Sequence, residues 1–259
     1  GVKVMTHSEP ILLLGLPESA LLDFNAQYIG KSVKDKIEVG QTRPDEGVLG
    51  VDAISGATVT VIAQNQVITT SGAAVARQVG IIEPLVREPV RYVEPAAGQP
   101  LPDWDTLVKQ GAIGKLVVKP EQVGLEKSNV PFIELWFGSL NSPVVGPALL
   151  GEDTWKNLMG RMKEGQNAIF IIRTAGAESF KGSGFVRGGI YDRVQVRQDN
   201  DIFTFKDSDA VNLYTLKAKG APKFSESSIF IVRSPAFSAA YPWKLIFLGN
   251  KRDPATGHE

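Results

Sequence analysis

Asp52-Ala53-Ile54-Ser55-Gly56-Ala57-Thr58-Val59-Thr60 is the stretch around which the rest of the chain is organised. Ser55 and Gly56 are typical of a turn, because serine bonds to local backbone and glycine tolerates positive φ. Apolar residues then recur on roughly one helical face, at Val59, Val61, Ile62, Val67 and Ile68. The pattern therefore predicts that Thr58 lies at or just before the N-terminus of a helix that runs to about Gly80.

A helix start of this kind has two interpretations. The first backbone N–H groups of a helix lack partners within it, and the helix dipole favours an anion, a phosphate included. Small residues and a threonine before a helix are, more commonly, an ordinary N-cap. Judged by the rules for helix starts alone, both interpretations stay open.

The Asp-x-x-Ser-Gly-Ala-Thr pattern in this stretch resembles the flavinylation motif of the FMN-binding domains in the NqrC and RnfG subunits of bacterial redox pumps, and in the NosR/NirI regulators. In those families an ApbE-type flavin transferase joins the phosphate of FMN to the hydroxyl of the final threonine. That threonine matches Thr58 here. The resemblance implies FMN bound covalently as a phosphoester to Thr58, with Asp52, Ser55, Gly56 and Ala57 as the recognition loop.

A second stretch, residues 179–193, is rich in glycine. It does not fit a dinucleotide fingerprint, because Arg187 stands where the third glycine of G-x-G-x-x-G belongs. By itself it predicts a glycine-rich strand that allows close approach of the backbone. NosR-like proteins have a nearly identical Phe-Lys-Gly-Ser-Gly-Tyr-Val-Arg-Gly-Gly run. The resemblance makes Lys181, Ser183 and Arg187 candidates to face FMN, whereas on composition the two basic side chains could equally be solvated charges on a strand.

A third likeness lies near the start of the chain, where His7-Ser8-Glu9-Pro10-Ile11 precedes an apolar run. NosR-like proteins carry a similar His-x-Glu-Pro-Ile stretch. The pump subunits have His-x-Glu-Thr-Pro-Gly-Leu-Gly at a similar place, near the flavin. The resemblance implies that Glu9, Pro10 and Gly15 lie close to the isoalloxazine ring, whereas the residues alone indicate only a loop and a buried segment.

Composition narrows the classes of function. Lys plus Arg equals Asp plus Glu at 28 each, so nothing favours nucleic acid or an anionic membrane surface. The absence of cysteine excludes disulfides, thiolate zinc sites and iron–sulfur clusters within this chain. The two histidines, His7 and His258, stand at opposite ends of the sequence. We therefore expect no metal site and no nucleic-acid partner.

Hairpins and isolated helices without a regular βαβ repeat predict an α+β fold. The resemblance adds a twisted, mainly antiparallel sheet with packed helices, as in NqrC and RnfG. We expect an FMN-binding domain over residues 1–235, with a second lobe after the proline-rich stretch 84–102 as the alternative. Residues 236–259 are expected to be a tail that precedes the membrane part of a longer protein, or else a terminal strand docked on the sheet.

Individual elements are predicted from periodicity, caps and turn residues. Asp103 is expected to cap a helix. Helices are expected over residues 18–29 and after Gly151, strands over residues 113–119, 130–137, 168–173 and 212–217, and a hairpin over residues 194–205.

The resemblance implies a periplasmic electron-transfer domain of an inner-membrane NosR-type protein that supports expression and activity of nitrous oxide reductase in denitrifying bacteria. No signal peptide or membrane span is visible, so we interpret the chain as a soluble piece of that protein. The partners implied are the flavin transferase, the membrane and iron–sulfur parts of the full-length protein, and nitrous oxide reductase. Thr58 would then be an acceptor of modification and not a catalyst. The protein would be a flavoprotein of electron transfer or transcription regulation rather than a stand-alone enzyme.

Two other classes of function remain for comparison. A sensory or interaction module could keep the same fold without flavin, and a yellow band that survives denaturation would distinguish the two. A hydrolase with Ser55 or Ser183 as nucleophile is disfavoured, because neither serine lies in a G-x-S-x-G sequence and both histidines are terminal.

Overall fold

A computed structural model describes residues 2–3, 15, 17–40, 42–44, 47–82, 90–96, 98–182, 185, 188–199 and 201–249. The chain divides into two units, Gly1–Arg87 and Glu88–Glu259. The division falls inside the proline-rich stretch 84–102, whereas the alternative domain organisation has a second lobe begin after that stretch. Each unit encloses its own hydrophobic core.

The first unit contains two helices and a pair of strands, in the order α1 (Glu18–Ala26), β1 (Lys36–Val39), β2 (Val48–Val51) and α2 (Thr58–Gln78). The two strands pair in parallel over four residues each. Side chains from all four elements, together with one from the segment just after α1, form a small core: Phe24, Tyr28, Ile37, Val51 and Val61. The 21-residue α2 confirms the predicted helix, which begins at Thr58 and ends two residues before Gly80.

The second unit is built on two antiparallel sheets and three short helices. Its elements are α3 (Trp104–Lys109), β3 (Ile113–Val118), β4 (Ile133–Ser139), α4 (Val145–Leu150), α5 (Glu152–Gly160), β5 (Asn167–Ala175), β6 (Ile190–Gln198), β7 (Asp201–Lys206), β8 (Ala210–Val211), β9 (Glu226–Val232) and β10 (Lys244–Phe247). The larger sheet has the strand order β3-β4-β5-β9-β8, and the smaller has β10-β6-β7.

The alternation of side chains along β5 explains how the layers of the second unit stack. Phe170 and Ile172 point to one face, where they pack with residues of α3, α4 and α5. Ile169 and Ile171 point to the other face, where they pack with residues of the smaller sheet. The larger sheet is therefore the middle layer between the helices and the smaller sheet.

The α+β fold with mainly antiparallel sheets is confirmed, the parallel β1–β2 pair being the exception among the described strands. Asp103 caps α3, because its carboxylate accepts a hydrogen bond of 2.9 Å from the Thr106 N–H. The strand expected over residues 212–217 is wrong: β8 ends at Val211, and Leu213 instead offers its carbonyl to the hydroxyl of Ser227. In the C-terminal stretch, β10 pairs with β6.

Candidate functional site

The 52–58 motif forms a tight turn that leads directly into α2. The N–H of Ala57 donates a 3.0 Å hydrogen bond to the carbonyl of Ile54. Gly56, the third residue of this turn, has φ +77°, which a glycine adopts without steric cost. Ala57 is buried, and its carbonyl accepts the hydrogen bond from Val61 that opens the helix. The Ser-Gly-Ala sequence thus fixes where the helix begins.

Among the residues that the structure describes, nothing supplies the usual compensations for the positive end at the N-terminus of α2. Ala57 occupies the N-cap position, and no side chain caps the helix there. The first turn contains no acidic residue. A carboxylate in that turn would stabilise the helix by its interaction with the positive end of the helix dipole. A long helix that begins this way favours an anionic group at its start.

The side chain of Gln27, just past the end of α1, fixes the acidic end of the motif. Its Oε1 accepts a 2.6 Å hydrogen bond from the Asp52 N–H, and its Nε2 donates one of 3.3 Å to the Asp52 carbonyl. The Asp52 side chain stays exposed. The backbone before the turn is therefore tied to α1, while the carboxylate is left free to meet another molecule.

Buried polar groups tie the long helix to the rest of the first unit. The hydroxyl of Tyr28 donates to Asn65 Oδ1 at 2.6 Å, and Asn65 Nδ2 donates to the carbonyl of Ile37 at 3.3 Å. Burial raises the pKa of Tyr28, so its hydroxyl remains a donor at all ordinary pH values. These bonds join the segment after α1, the helix α2 and the strand β1, and they fix the position of α2 within the first unit.

The described residues of the glycine-rich stretch that precede β6 form a loop, which is held at both ends. At its beginning, Glu226 accepts hydrogen bonds from the Ser179 hydroxyl at 2.6 Å and from the Phe180 N–H at 3.3 Å. The ring of Phe180 is fully buried in the core between the sheets. At its end, the Gly188 N–H donates to Asp207 Oδ2 at 2.8 Å.

The loop packs closely on the carboxyl group of Asp192. A Cβ atom at Gly182, where φ is +85°, would collide with that carboxyl group. Burial raises the pKa of Asp192, and its Oδ1 has no hydrogen-bond partner among the described residues. The close backbone approach expected for this stretch is therefore present, and among its described residues the expected strand begins at Ile190, with β6.

The predicted site residues are partly brought together. Asp52, Ser55, Gly56 and Ala57 are contiguous at the start of α2, whose first residue is Thr58.

The remaining predicted residues lie elsewhere or outside the described part. Lys181 belongs to the second unit, where its Nζ lies 5.9 Å from the centre of the Phe185 ring. Gly15 is exposed with φ +96°. Glu9, Pro10, Ser183 and Arg187 lie outside the described residues.

Sequence reasoning missed the side chains that hold the two loops. Gln27 lies 25 residues from its partner in the sequence, and Asp207 lies 19 residues from its own. Glu226 lies 46 and 47 residues from its two partners. Each is an ordinary polar residue at the end of an element, and no local pattern marks it. Only the fold shows that each faces a motif.

The fold and the site define an α+β protein whose first unit presents the uncapped start of a long helix behind a tight turn. The curated regulatory protein NosR of Pseudomonas aeruginosa is 40% identical over 265 residues, covering 95% of this chain and 36% of that protein. The regulatory protein NosR of Stutzerimonas stutzeri is 37% identical, with the same coverage of 95% and 36%. The protein NirI of Paracoccus denitrificans is 27% identical over 89% of this chain and 33% of its own length.

The chain belongs to the NosR/NirI family, in the segment that it shares with those proteins. It spans about a third of the length of these curated relatives. No family model matches the chain, and no solved structure matches it. Among the residues that the structure describes, no helix has both the length and the apolar character to cross a membrane.

Proposed function

We propose that this chain is the flavin-carrying segment of a NosR-type protein, with FMN attached through a phosphoester to Thr58. The observation that carries the proposal is the start of α2, which has neither a capping side chain nor an acidic residue in its first turn. A phosphate diester at this position meets the positive end of a 21-residue helix without competition from a carboxylate. The residues present therefore fit the group.

The residues of the motif would have different roles in the attachment of FMN. The hydroxyl oxygen of Thr58 forms a bond to the phosphorus next to the riboflavin part of FAD. The bond from that phosphorus to the oxygen bridging the two phosphates breaks, AMP leaves, and the hydroxyl proton is released. The exposed Asp52 carboxylate and the turn at Gly56 would be the features that a transferase recognises. The hydrogen bonds from Gln27 present them in one conformation.

When bound, FMN supplies reversible electron transfer, and the protein supplies attachment and surroundings. A covalent link suits an exported protein, because a diffusible flavin would be lost outside the cell. We therefore place the chain in the periplasm, as part of an inner-membrane protein with further membrane and iron–sulfur segments. Its electrons would serve the nitrous oxide reductase system, and the relatives named regulatory protein NosR support a regulatory role in that system as well.

The experiment is co-expression of the chain with an ApbE-type flavin transferase, followed by intact-mass measurement. We expect a gain equal to FMN less one water in the unaltered chain and no gain in Thr58→Ala. The matched control is Thr70→Ala, an exposed threonine on the same helix, which should be modified as fully as the unaltered chain.

Each outcome decides between the two classes of function. A gain that is lost only in Thr58→Ala supports a covalent flavin carrier. No gain, with a transferase shown to modify another substrate, would favour a sensory or interaction module that has the fold but not the cofactor. A gain that persists in Thr58→Ala would place the attachment at another residue and contradict the assignment.

A further inference from the structure

The second unit contains a cleft of about 550 Å³, and none of the residues that line it belongs to the glycine-rich stretch. Its aromatic walls come from three segments: Tyr92 from the stretch before α3, Phe137 from β4, and the loop 239–243 that leads into β10. Small and polar residues between α3 and β3 and around the start of α4 complete the lining. Its volume is within the range of small-molecule sites in proteins.

The aromatic walls are held rigidly by the packing beneath them. The ring of Trp243 contacts two other rings, those of Phe137, at 5.5 Å between ring centres, and Phe237, at 6.1 Å. Phe137 itself lies over Gly114, where a Cβ would come within 2.6 Å of the ring. Because neither large ring can move without disturbing the core between the sheets, the cleft is preformed.

The described lining is uncharged and includes four aromatic side chains. None of the described residues that line the cleft is Asp, Glu, Lys, Arg or His. Such a lining offers nothing to neutralise a phosphate or a carboxylate, so a charged ligand would lose its hydration without compensation. It favours a flat ring, which can stack on aromatic side chains.

Two hydrogen-bond donors of the lining have no partner within the described part of the chain. The Tyr92 hydroxyl makes no hydrogen bond there, and burial raises its pKa, so it stays protonated and able to donate. The indole N–H of Trp243 likewise makes none. A third donor is the Ser142 hydroxyl, whose oxygen already accepts from the Val144 and Val145 N–H groups. The ligand should therefore bring hydrogen-bond acceptors.

We propose that this cleft binds a neutral, planar ring that carries carbonyl oxygens on its edge, stacked on Trp243 and hydrogen-bonded to the Tyr92 hydroxyl. Two sources share this chemistry, the isoalloxazine ring of a flavin and the head group of a quinone. The proposal rests on the second unit alone and stands whether or not Thr58 carries FMN.

The test is isothermal titration calorimetry of the unmodified chain with two probes, lumiflavin, which is a flavin ring without phosphate, and menadione, a naphthoquinone. We expect saturable binding of at least one probe, and the tighter probe identifies the source. Tyr92→Phe removes one hydrogen bond and should weaken binding about fivefold to tenfold. Tyr214→Phe, which alters an exposed tyrosine outside the cleft, is the matched control and should leave binding unchanged.

A second variant keeps the test decisive. Ala240→Leu adds volume at an exposed position of the lining and should abolish binding without removing any core side chain. Circular dichroism checks that each variant is folded. Failure of both probes to bind overturns the proposal, and so does binding that Tyr92→Phe and Ala240→Leu leave unchanged.

Discussion

At the scale of single residues, Gln27 shows how the candidate attachment loop is held. Its one side chain makes two hydrogen bonds to the backbone of Asp52, 25 residues further along the chain. Thr58 and Gly56 were found from the sequence because a helix start and a turn are local patterns. Gln27 was not found, because nothing near it in sequence indicates which loop it will face.

The substitution Gln27→Ala should loosen this loop while leaving the motif intact. We expect slower modification of Thr58 by the flavin transferase, because the recognition loop is no longer held in one conformation. The free energy of unfolding of the first unit should fall by about 1 kcal/mol, the typical net value of a lost hydrogen bond. The measurements are the rate of mass gain and the urea unfolding curve.

Gln27→Glu provides the graded comparison. It keeps an oxygen to accept from the Asp52 N–H but loses the donor to the Asp52 carbonyl. Its modification rate should fall between those of the unaltered chain and Gln27→Ala. Equal rates in all three proteins would show that this contact has no part in recognition.

At the scale of elements, the glycine-rich stretch shows what periodicity does and does not reveal. Its glycines predicted close backbone approach, which Gly182 makes with Asp192. They did not show that Gly182 and Gly188 both have positive φ, or that the described residues before β6 form a loop. Strands β4 and β5 were easier to predict, because their apolar runs are local and their burial follows from them.

The two glycines of this loop allow a matched comparison. Gly182→Ala and Gly188→Ala both place a side chain at positive φ, near +85° and +84°. Only the first would also collide with Asp192, since nothing lies within 4 Å of a Cβ at Gly188. We expect Gly188→Ala to cost about 1 to 2 kcal/mol and Gly182→Ala clearly more. Chemical denaturation of both variants measures the difference.

A double substitution checks the cause assigned to that difference. Asp192→Ala removes the carboxyl group that the new methyl group would meet, so it should recover part of the loss caused by Gly182→Ala. The same substitution should recover nothing in the Gly188→Ala background. If the losses in the free energy of unfolding simply add in both backgrounds, the contact between Gly182 and Asp192 is not the cause.

The strand that was wrongly expected over residues 212–217 illustrates a non-local effect. The residues suit an extended backbone, but β9 pairs only with the two residues of β8 on that side. Beyond Val211 the chain bonds instead to α4, where the Lys217 N–H donates to the carbonyl of Leu149 at 2.8 Å. Which partner an extended segment finds is decided by the packing of the whole unit.

At the scale of the whole molecule, the two units differ in the size of their cores. Both large clusters of buried side chains among the described residues lie in the second unit, on the two faces of its central sheet. The described core of the first unit is one small cluster. Because small cores give marginal stability, we expect the second unit to be the more stable of the two.

A fragment of residues 88–259 tests this expectation by differential scanning calorimetry. It should unfold cooperatively, within about 3 °C of the higher transition of the full chain, which corresponds to a change of about 1 kcal/mol or less. A fragment of residues 1–87 is the comparison and should melt at a lower temperature. If the fragment 88–259 shows no cooperative transition, its cores do not suffice to keep the second unit folded by itself.

The α+β class followed from the order of elements, whereas the division at Arg87 did not, because proline density fits a surface wrap as well as a boundary. The family resemblance supplied the motifs of both units. It supplied neither the cleft at Trp243 nor the layer order, which arise from contacts between distant segments.

The placement of the tryptophans gives each unit its own optical signal. All four, Trp104, Trp136, Trp155 and Trp243, lie in the second unit, and Tyr28 is the single tyrosine or tryptophan of the first. Indole emission therefore reports on the second unit alone. A flavin at Thr58 would add visible absorption that belongs to the first unit, so the two halves of one chain could be followed at separate wavelengths during a single titration or unfolding experiment.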